Sequence, residues 1–435
     1  MKNSSFVRIV ASIIILLSLF DCQDNSQLQP NKLSELSDNL LVTLDQAEKI
    51  ASIEIGGKIV SGSNLRVEAD TSNKRNITDS KTFKDKRDGS DAFHVINFHK
   101  LDSKTSQNQQ AGFVIISADK RIVPVLASSE TNYFDMENIP SGVDIWVEIV
   151  LNELSRAKNL KTPKPDIEYL WKEYDAKPRN GKVSTPYPTC PQGYYTNTGI
   201  LLNTAWGQGG TYNLMCPANG CDACGKARVG CGPVAIGQVW NYYGKPIQSS
   251  SNYGVGYIST TFHYPLANQR SGIYCDIAST PSNEQEMALL LREAGTAANT
   301  NYNYLWSCSA LTWREDVKTA FAFAGYSNAG QRGSFINNLG SVNTELINGK
   351  PVIIDGNTSF NLSNWHIWII DGYDSNIWYT PNPSNPYNCD INTLVKYHLN
   401  WGWGGYSNGW YVLGNFQGGG DLYNYALNVT FGMRS

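Results

Sequence analysis

Four residue types fall in an order that would build a nucleophile and the groups that activate it. Cys231 stands near the front of residues 229–244, VGCGPVAIGQVWNYYG, and a thiol becomes a covalent nucleophile once it is a thiolate. Pro233 suits a first helical turn; Ala235, Val239, Tyr242 and Tyr243 share a face; Gly244 and Pro246 stop the run. The spacing therefore predicts a helix with Cys231 at its N-terminus. The helix dipole and the free N–H groups there favour a thiolate, lowering a pKa that starts near ~8.5, and free N–H groups also hold an oxyanion. A disulfide cysteine ahead of a core helix fits this segment equally well by itself, so the partners decide.

A cysteine nucleophile needs a base. The chain has five histidines, and His94 and His99 lie before a proline-rich stretch, leaving His263, His366 and His398. His366 opens WHIWIIDG (365–372), an apolar run closed by an Asp-Gly turn, which reads as a buried strand. A structural, hydrogen-bonded histidine is the plainer reading of any one such residue. Downstream lies YHLNWGWGG (397–405), where Asn400 could fix the imidazole tautomer and Trp401 could shield that bond from water. The same glycines and tryptophans also suit a tight aromatic turn. His398 is the second candidate base, disfavoured because Asn400 is only two residues along the same strand. Upstream of Cys231, Gln208 lies in AWGQGGTYNL (205–214), and an amide there can donate to a developing oxyanion. Glutamine in a glycine-rich loop carries no signal alone; its weight comes from the order Gln, Cys, His, Asn-Trp.

The elements that must hold these residues fall in the second half of the chain. With 435 residues, two or three domains are expected, each with its own core. Residues 23–110 are polar, and 79–91, DSKTFKDKRDGSD, read as a solvated loop. Strands are predicted at 92–99, 111–118 and 122–127, and a helix over 143–157 through Ile145, Ile149 and Leu154. Residues 158–191, with Pro163, Pro165, Pro178, Pro186 and Pro188, read as a linker. From about 192 a second unit begins with a helix and ends in strands. The expected division is 1–22, 23–185 and 186–435.

The first 22 residues place Lys2 and Arg8 before an apolar run at 9–20, the pattern of a signal peptide. That run is too short to span a bilayer. Cys22, followed by Gln23, Asp24 and Asn25, resembles a lipoprotein acylation site, although Asp21 departs from the small residue such sites prefer. Export is expected, with lipid anchoring at Cys22 as one form of it. A net charge of −3 with 17% charged residues leaves no basic footprint, so nucleic acid is not an expected partner.

Seven further cysteines remain, at 190, 216, 221, 224, 275, 308 and 389. The spacing Cys216-x4-Cys221-x2-Cys224 is one used at an iron–sulfur site and could begin a zinc site. Both need a fourth ligand and a reducing compartment. In an exported chain disulfides are the expected state, and no cofactor or metal is called for.

Taken together these words resemble the streptopain family of papain-like cysteine proteases. Gly230-Cys231 with Gln238 and Pro246 resembles that family's nucleophile helix, and Trp206-x-Gln208-x3-Tyr212-Asn213 its oxyanion segment. His366 followed by Ile370-Asp371-Gly372, then Tyr397-His398-x-Asn400-Trp401-Gly-Trp-Gly-Gly405, is similar to its most distinctive stretch. Gly418-Gly-Gly420 before Tyr423 resembles a mobile glycine loop, and residues 112–121, GFVIISADKR, a propeptide signature. The resemblance implies an α+β chain, a papain-like catalytic domain preceded by a small α+β propeptide. Its helical part would carry the nucleophile and its antiparallel sheet the base. It implies an exported endopeptidase zymogen with Cys231, His366, Asn400, Gln208 and Trp401 at its site, peptide substrates with a lean to apolar P2 side chains, and its own propeptide as intramolecular inhibitor, removed by the enzyme's own cut in the linker. Trp365 stands where the family commonly has glycine, and 375–393 with Cys389 looks like an inserted surface loop. A papain-like cell-wall amidase or transglutaminase, and a non-catalytic surface lipoprotein on this scaffold, are the competing readings.

Overall fold

The computed structural model describes residues 39–56, 75–101, 108–175, 190–220, 222, 224–250, 260–303, 310–358, 365–382, 384–417 and 426–435. Residues 40–435 form one compact unit. The expected signal segment, Cys22, Cys221, Cys308 and the glycine loop at 418–420 lie outside the described residues.

The N-terminal part contributes α1 (Leu44–Gly56), strands β1 (Arg75–Lys84), β2 (Asp91–Leu101), β3 (Asn108–Ser117) and β4 (Val125–Ser129), then α2 (Val143–Ala157) and α3 (Pro165–Asp175). Strands β2 and β3 and helix α2 stand where the apolar periodicity puts them. Two expectations fail here. Much of the polar 79–91 stretch is strand, because β1 is an edge that pairs, among the described strands, with β2 alone and buries none of its side chains. The first half of the expected linker is helical: Pro165 opens α3, and Ile167, Leu170 and Trp171 bury one face in the core.

The C-terminal part runs β5 (Tyr194–Asn197), α4 (Cys231–Tyr243), α5 (Ser282–Ala297), α6 (Asp316–Phe323), β6 (Asn328–Ser334), α7 (Leu339–Ile347), β7 (Val352–Gly356), β8 (His366–Asn382), β9 (Asn385–Asn400), β10 (Gly409–Tyr411) and β11 (Asn428–Arg434). All strands lie in one antiparallel sheet ordered β1-β2-β3-β4-β10-β9-β8-β7-β11-β6, with β5 on the outer half of β8. The two parts share this sheet: β4 pairs with β10 through Ser128↔Trp410 and Ala127↔Tyr411. An α+β fold with an antiparallel sheet is what the sequence implied.

Two apolar clusters cover the two faces. One joins α2 and α3 to the sheet through Trp146, Phe113, Trp368, Trp401 and Tyr411. The other packs α4, α5 and α6 against Ile353, Ile367 and Ile369. Burying each such side chain contributes about 1.5–3 kcal/mol, so the first cluster binds the N-terminal part firmly. Residues 375–393, expected as a loop, are instead the outer half of a long β8–β9 hairpin.

Candidate active site

Cys231 is the first residue of α4, as the spacing predicted. Gly230 before it sits at φ +91°, and a Cβ there would meet Ala310 Cβ at 2.9 Å, so only glycine turns the chain sharply enough. Gly244 closes the helix in the left-handed conformation. The backbone N–H groups of Ile367 and Gly232 face the sulfur and favour its thiolate, but burial outweighs them and pushes the thiol pKa up. The lowered pKa expected from the helix N-terminus is thus overturned in this state, although the residue keeps partial exposure.

His366 is the first residue of β8 and pairs with Gly356, one step before the Ile367↔Asp355 pair. Its ring is 1% exposed, lying between Trp368 and Trp403 with centroids 5.9 and 5.8 Å away. Among the described residues its one hydrogen bond runs from Nε2–H to the carbonyl oxygen of Trp401, at 2.9 Å. Burial lowers its pKa to about 4, so the imidazole is neutral with Nδ1 as the basic nitrogen. No hydrogen bond joins it to Cys231 or Asn400.

What holds the ring there is the N-terminal part. Residues 140–142 lead into α2, and Gly142, at φ +95°, lies so close that a Cβ would come within 2.4 Å of His366 Cδ2 and 3.0 Å of Trp401 Cε3. Trp403 Nε1 donates to the Ser141 carbonyl at 3.0 Å, and Trp146 Nε1 to the Val412 carbonyl at 2.9 Å. Asp144 Oδ1 accepts from Gly142 N at 2.8 Å and fixes the turn.

The other expected residues surround this pair. Asn400, at the end of β9, donates through Nδ2 to the Thr204 carbonyl at 2.8 Å and to Gln238 Oε1 at 3.1 Å. Gln238 Oε1 also accepts from Trp206 N at 3.1 Å. Asn400 thus ties the sheet, α4 and the 204–208 loop together and does not orient His366 here. Trp401 is fully buried and supplies its carbonyl to His366. Gln208 is 9% exposed; its carbonyl oxygen accepts from Val229 N, its side-chain amide makes no hydrogen bond among the described residues, and it lines a cavity of about 700 Å³ with Trp403, Arg228 and, from the N-terminal part, Tyr133 and Pro140. His398 is elsewhere, its Nδ1 2.6 Å from Asp371 Oδ1. Sequence reasoning named Gln238 only as a residue of the nucleophile helix and missed its bond to Asn400; it missed Trp403, which lies inside a quoted motif, and Gly142, which nothing marks.

Among the described residues two disulfides form. Cys190 bonds Cys389 and Cys224 bonds Cys275, while Cys216 is free and buried. With Cys224 oxidised, the three-thiol spacing does not serve a cluster. Among the described residues no group of three or more His, Cys, Asp or Glu is placed to hold a metal ion, and no helix is long and apolar enough to cross a membrane.

Residues 206–411 match the Peptidase C10 family, and residues 40–154 match the Spi protease inhibitor family. Streptopain of Streptococcus pyogenes is 24% identical over 331 residues, covering 69% of this chain and 71% of that protein. The thiol protease/hemagglutinin PrtT of Porphyromonas gingivalis is 21% identical over 319 residues, 71% of this chain; the match spans only 33% of that relative's length. Prointerpain A of Prevotella intermedia shares the fold, with a TM-score of 0.50 and 20% identity over 83% of this chain and 99% of that one.

Proposed function

The chain belongs to the Peptidase C10 family of streptopain-like cysteine peptidases and carries a Spi-type inhibitor domain ahead of its peptidase domain, and from that premise we propose how its residues divide the work. Cys231 is the nucleophile and His366 its base. In the active state the His366 ring leaves the Gly142 face and turns to Cys231, taking the thiol proton. The thiolate adds to the substrate carbonyl, with the Cys231 N–H and the Gln208 amide holding the oxyanion. The amine leaves with the proton from His366, and water then hydrolyses the thioester to release the acid and the free thiol. Asn400 reaches the turned imidazole and fixes its tautomer, with Trp401 covering that contact.

The observation that carries this reading is the 140–142 loop of the inhibitor domain seated on His366 and Trp403. A domain placed there separates base from nucleophile, which is how a tethered inhibitor of modest intrinsic affinity silences an enzyme. Residues up to about 185 are accordingly a propeptide. Export is supported by the two disulfides and by the leader-like first 22 residues; lipid attachment at Cys22 has only its local sequence behind it.

The test is three variants of the processed enzyme on a peptide substrate. Cys231→Ala and His366→Ala should abolish hydrolysis, while His398→Ala, which breaks the buried pair with Asp371, should mainly lower Tm. Cys231→Ala activity within about tenfold of wild type, or His398→Ala behaving as His366→Ala should, contradicts the assignment.

A further inference from the structure

Two glycines follow Gln208, and the residues packed against them show why no side chain fits there. The peptide joining Gly209 to Gly210 is gripped at both ends. Its N–H donates to Asp222 Oδ2 at 2.9 Å, and its carbonyl oxygen accepts from Arg270 Nη1 at 2.9 Å. A carboxylate at the N–H end and a guanidinium at the carbonyl end match the peptide's own dipole, and such charged hydrogen bonds are roughly twice as strong as neutral ones. The approach is close: a Cβ on Gly209 would lie 2.5 Å from Asp222 Oδ2, and one on Gly210, at φ +69°, would overlap Arg270 Nη1. A Gly-Gly peptide left alone has wide conformational freedom. Here its orientation is set.

The two charged residues are themselves held. Asp222 Oδ2 also accepts from Asn213 Nδ2 at 3.0 Å, and the Asp222 carbonyl oxygen accepts from Gly225 N at 2.7 Å. The Arg270 guanidinium lies over the Tyr212 ring, 5.4 Å from its centroid, and Arg270 N donates to Tyr212 Oη at 3.2 Å. The disulfide between Cys224 and Cys275 ties the segment of Asp222 to that of Arg270. On its other side Gln208 is fixed through its carbonyl oxygen, which accepts at 2.9 Å from the N–H of Val229, two residues before Cys231. The backbone is thus set on both sides of a side-chain amide that makes no hydrogen bond among the described residues, and Gln208, Asp222 and Arg270 line one cavity.

We propose that Asp222 and Arg270, joined by the Cys224–Cys275 disulfide, form a clamp that orients Gln208 toward the developing oxyanion, and so are positioning residues of the hydrolysis. This rests on the reading of Gln208 as an oxyanion donor given above. Such a donor is effective only when it is already aimed at the place where charge develops, and a misplacement of about 1 Å can cost about 100-fold in rate. The oxyanion contact strengthens in the transition state, so loss of the clamp lowers kcat and leaves KM nearly alone.

The experiment measures kcat and KM of the processed enzyme on a peptide substrate, together with the rate at which iodoacetamide alkylates Cys231, a reaction that needs no oxyanion donor. Gln208→Ala should lower kcat about 100-fold. Asp222→Ala should lower it about tenfold with KM within about twofold and alkylation unchanged. Asp222→Asn, whose amide oxygen can accept both bonds, should regain most of that loss. The deciding variant is the double one: Asp222→Ala/Gln208→Ala should be no slower than Gln208→Ala alone, because the clamp acts through Gln208. Two losses that multiply in the double variant, or Asp222→Ala at wild-type kcat while Gln208→Ala is impaired, overturn the clamp and leave the oxyanion reading in place. Gln208→Ala at wild-type kcat overturns the oxyanion reading itself. If Asp222→Ala does not fold, Arg270→Gln takes its place, with the same loss and the same lack of effect on top of Gln208→Ala expected. Cys224→Ser/Cys275→Ser should lower kcat by a smaller factor than Asp222→Ala; wild-type kcat there removes the disulfide from the clamp.

Discussion

At Gly142 the backbone holds a conformation that suits glycine, with the His366 ring where a Cβ would be. Alanine there faces both the positive φ and a contact that packing does not allow, so the 140–142 loop must lift. The cost is on the order of 1–3 kcal/mol, and it falls on the inhibited state alone because the peptidase part is unaltered. Gly142→Ala is therefore expected to process earlier and to hydrolyse peptide before full processing. Equal lag times for Gly142→Ala and wild type, with shortening of the full-length proteins followed by intact mass, would show that the loop does not restrain His366. Nothing in the sequence marks this glycine, since its importance comes from a contact between residues more than two hundred positions apart. Cys231, His366, Gln208 and Asn400 were legible because each lies in a local pattern: a helix start, a strand start, a glycine loop and an Asn-Trp turn. Their distances were not legible, and so the sequence reading pairs Asn400 with His366 while the inhibited state pairs it with Gln238 and Thr204.

Among elements, those whose apolar period is strong stand where they were predicted. Helix α4 is buried almost throughout, α2 buries Ile145, Trp146, Ile149 and Leu154, and β3 buries its apolar half, Phe113 to Ser117. The failures share a cause. Strand β1 is an edge with no buried side chain, and the outer β8–β9 hairpin is half-exposed along much of its length, so neither needs alternating apolar residues and each reads as loop. Helix α3 has the right period in Ile167, Leu170 and Trp171, but its prolines and charges imitate a linker. Cys389, bonded to Cys190, was the visible marker of the outer hairpin.

Taken whole, the molecule is one sheet carrying two functions, and its inhibited state has an acid dependence whose parts oppose each other. His366 is held at about 4 by burial, below the ordinary ~6.5. The opened or unfolded chain binds that proton first, so the stability this group allows is present above about pH 6.5 and is lost as pH falls toward 4, by at most about 3 kcal/mol. Asp144 and Glu153 on α2 and Asp355 beside the site, the last at about 6, are raised by burial and favour the closed state more in acid. Thermal unfolding of the Cys231→Ala zymogen with and without His366→Gln isolates the histidine. The Tm difference between them should move against the His366 protein as pH drops from 7 to 4.5; a constant difference means His366 is not held neutral.

The most direct test of the central claim, a Cys231 nucleophile kept from its base by an inhibitor domain, is alkylation by a peptidyl epoxide followed by peptide mapping. The processed enzyme should carry one adduct, on Cys231, and the intact zymogen should acquire it at least about tenfold more slowly, since its partly buried thiol lacks a base. An adduct on Cys216 instead of Cys231, or a zymogen labelled as fast as the processed enzyme, would contradict the account.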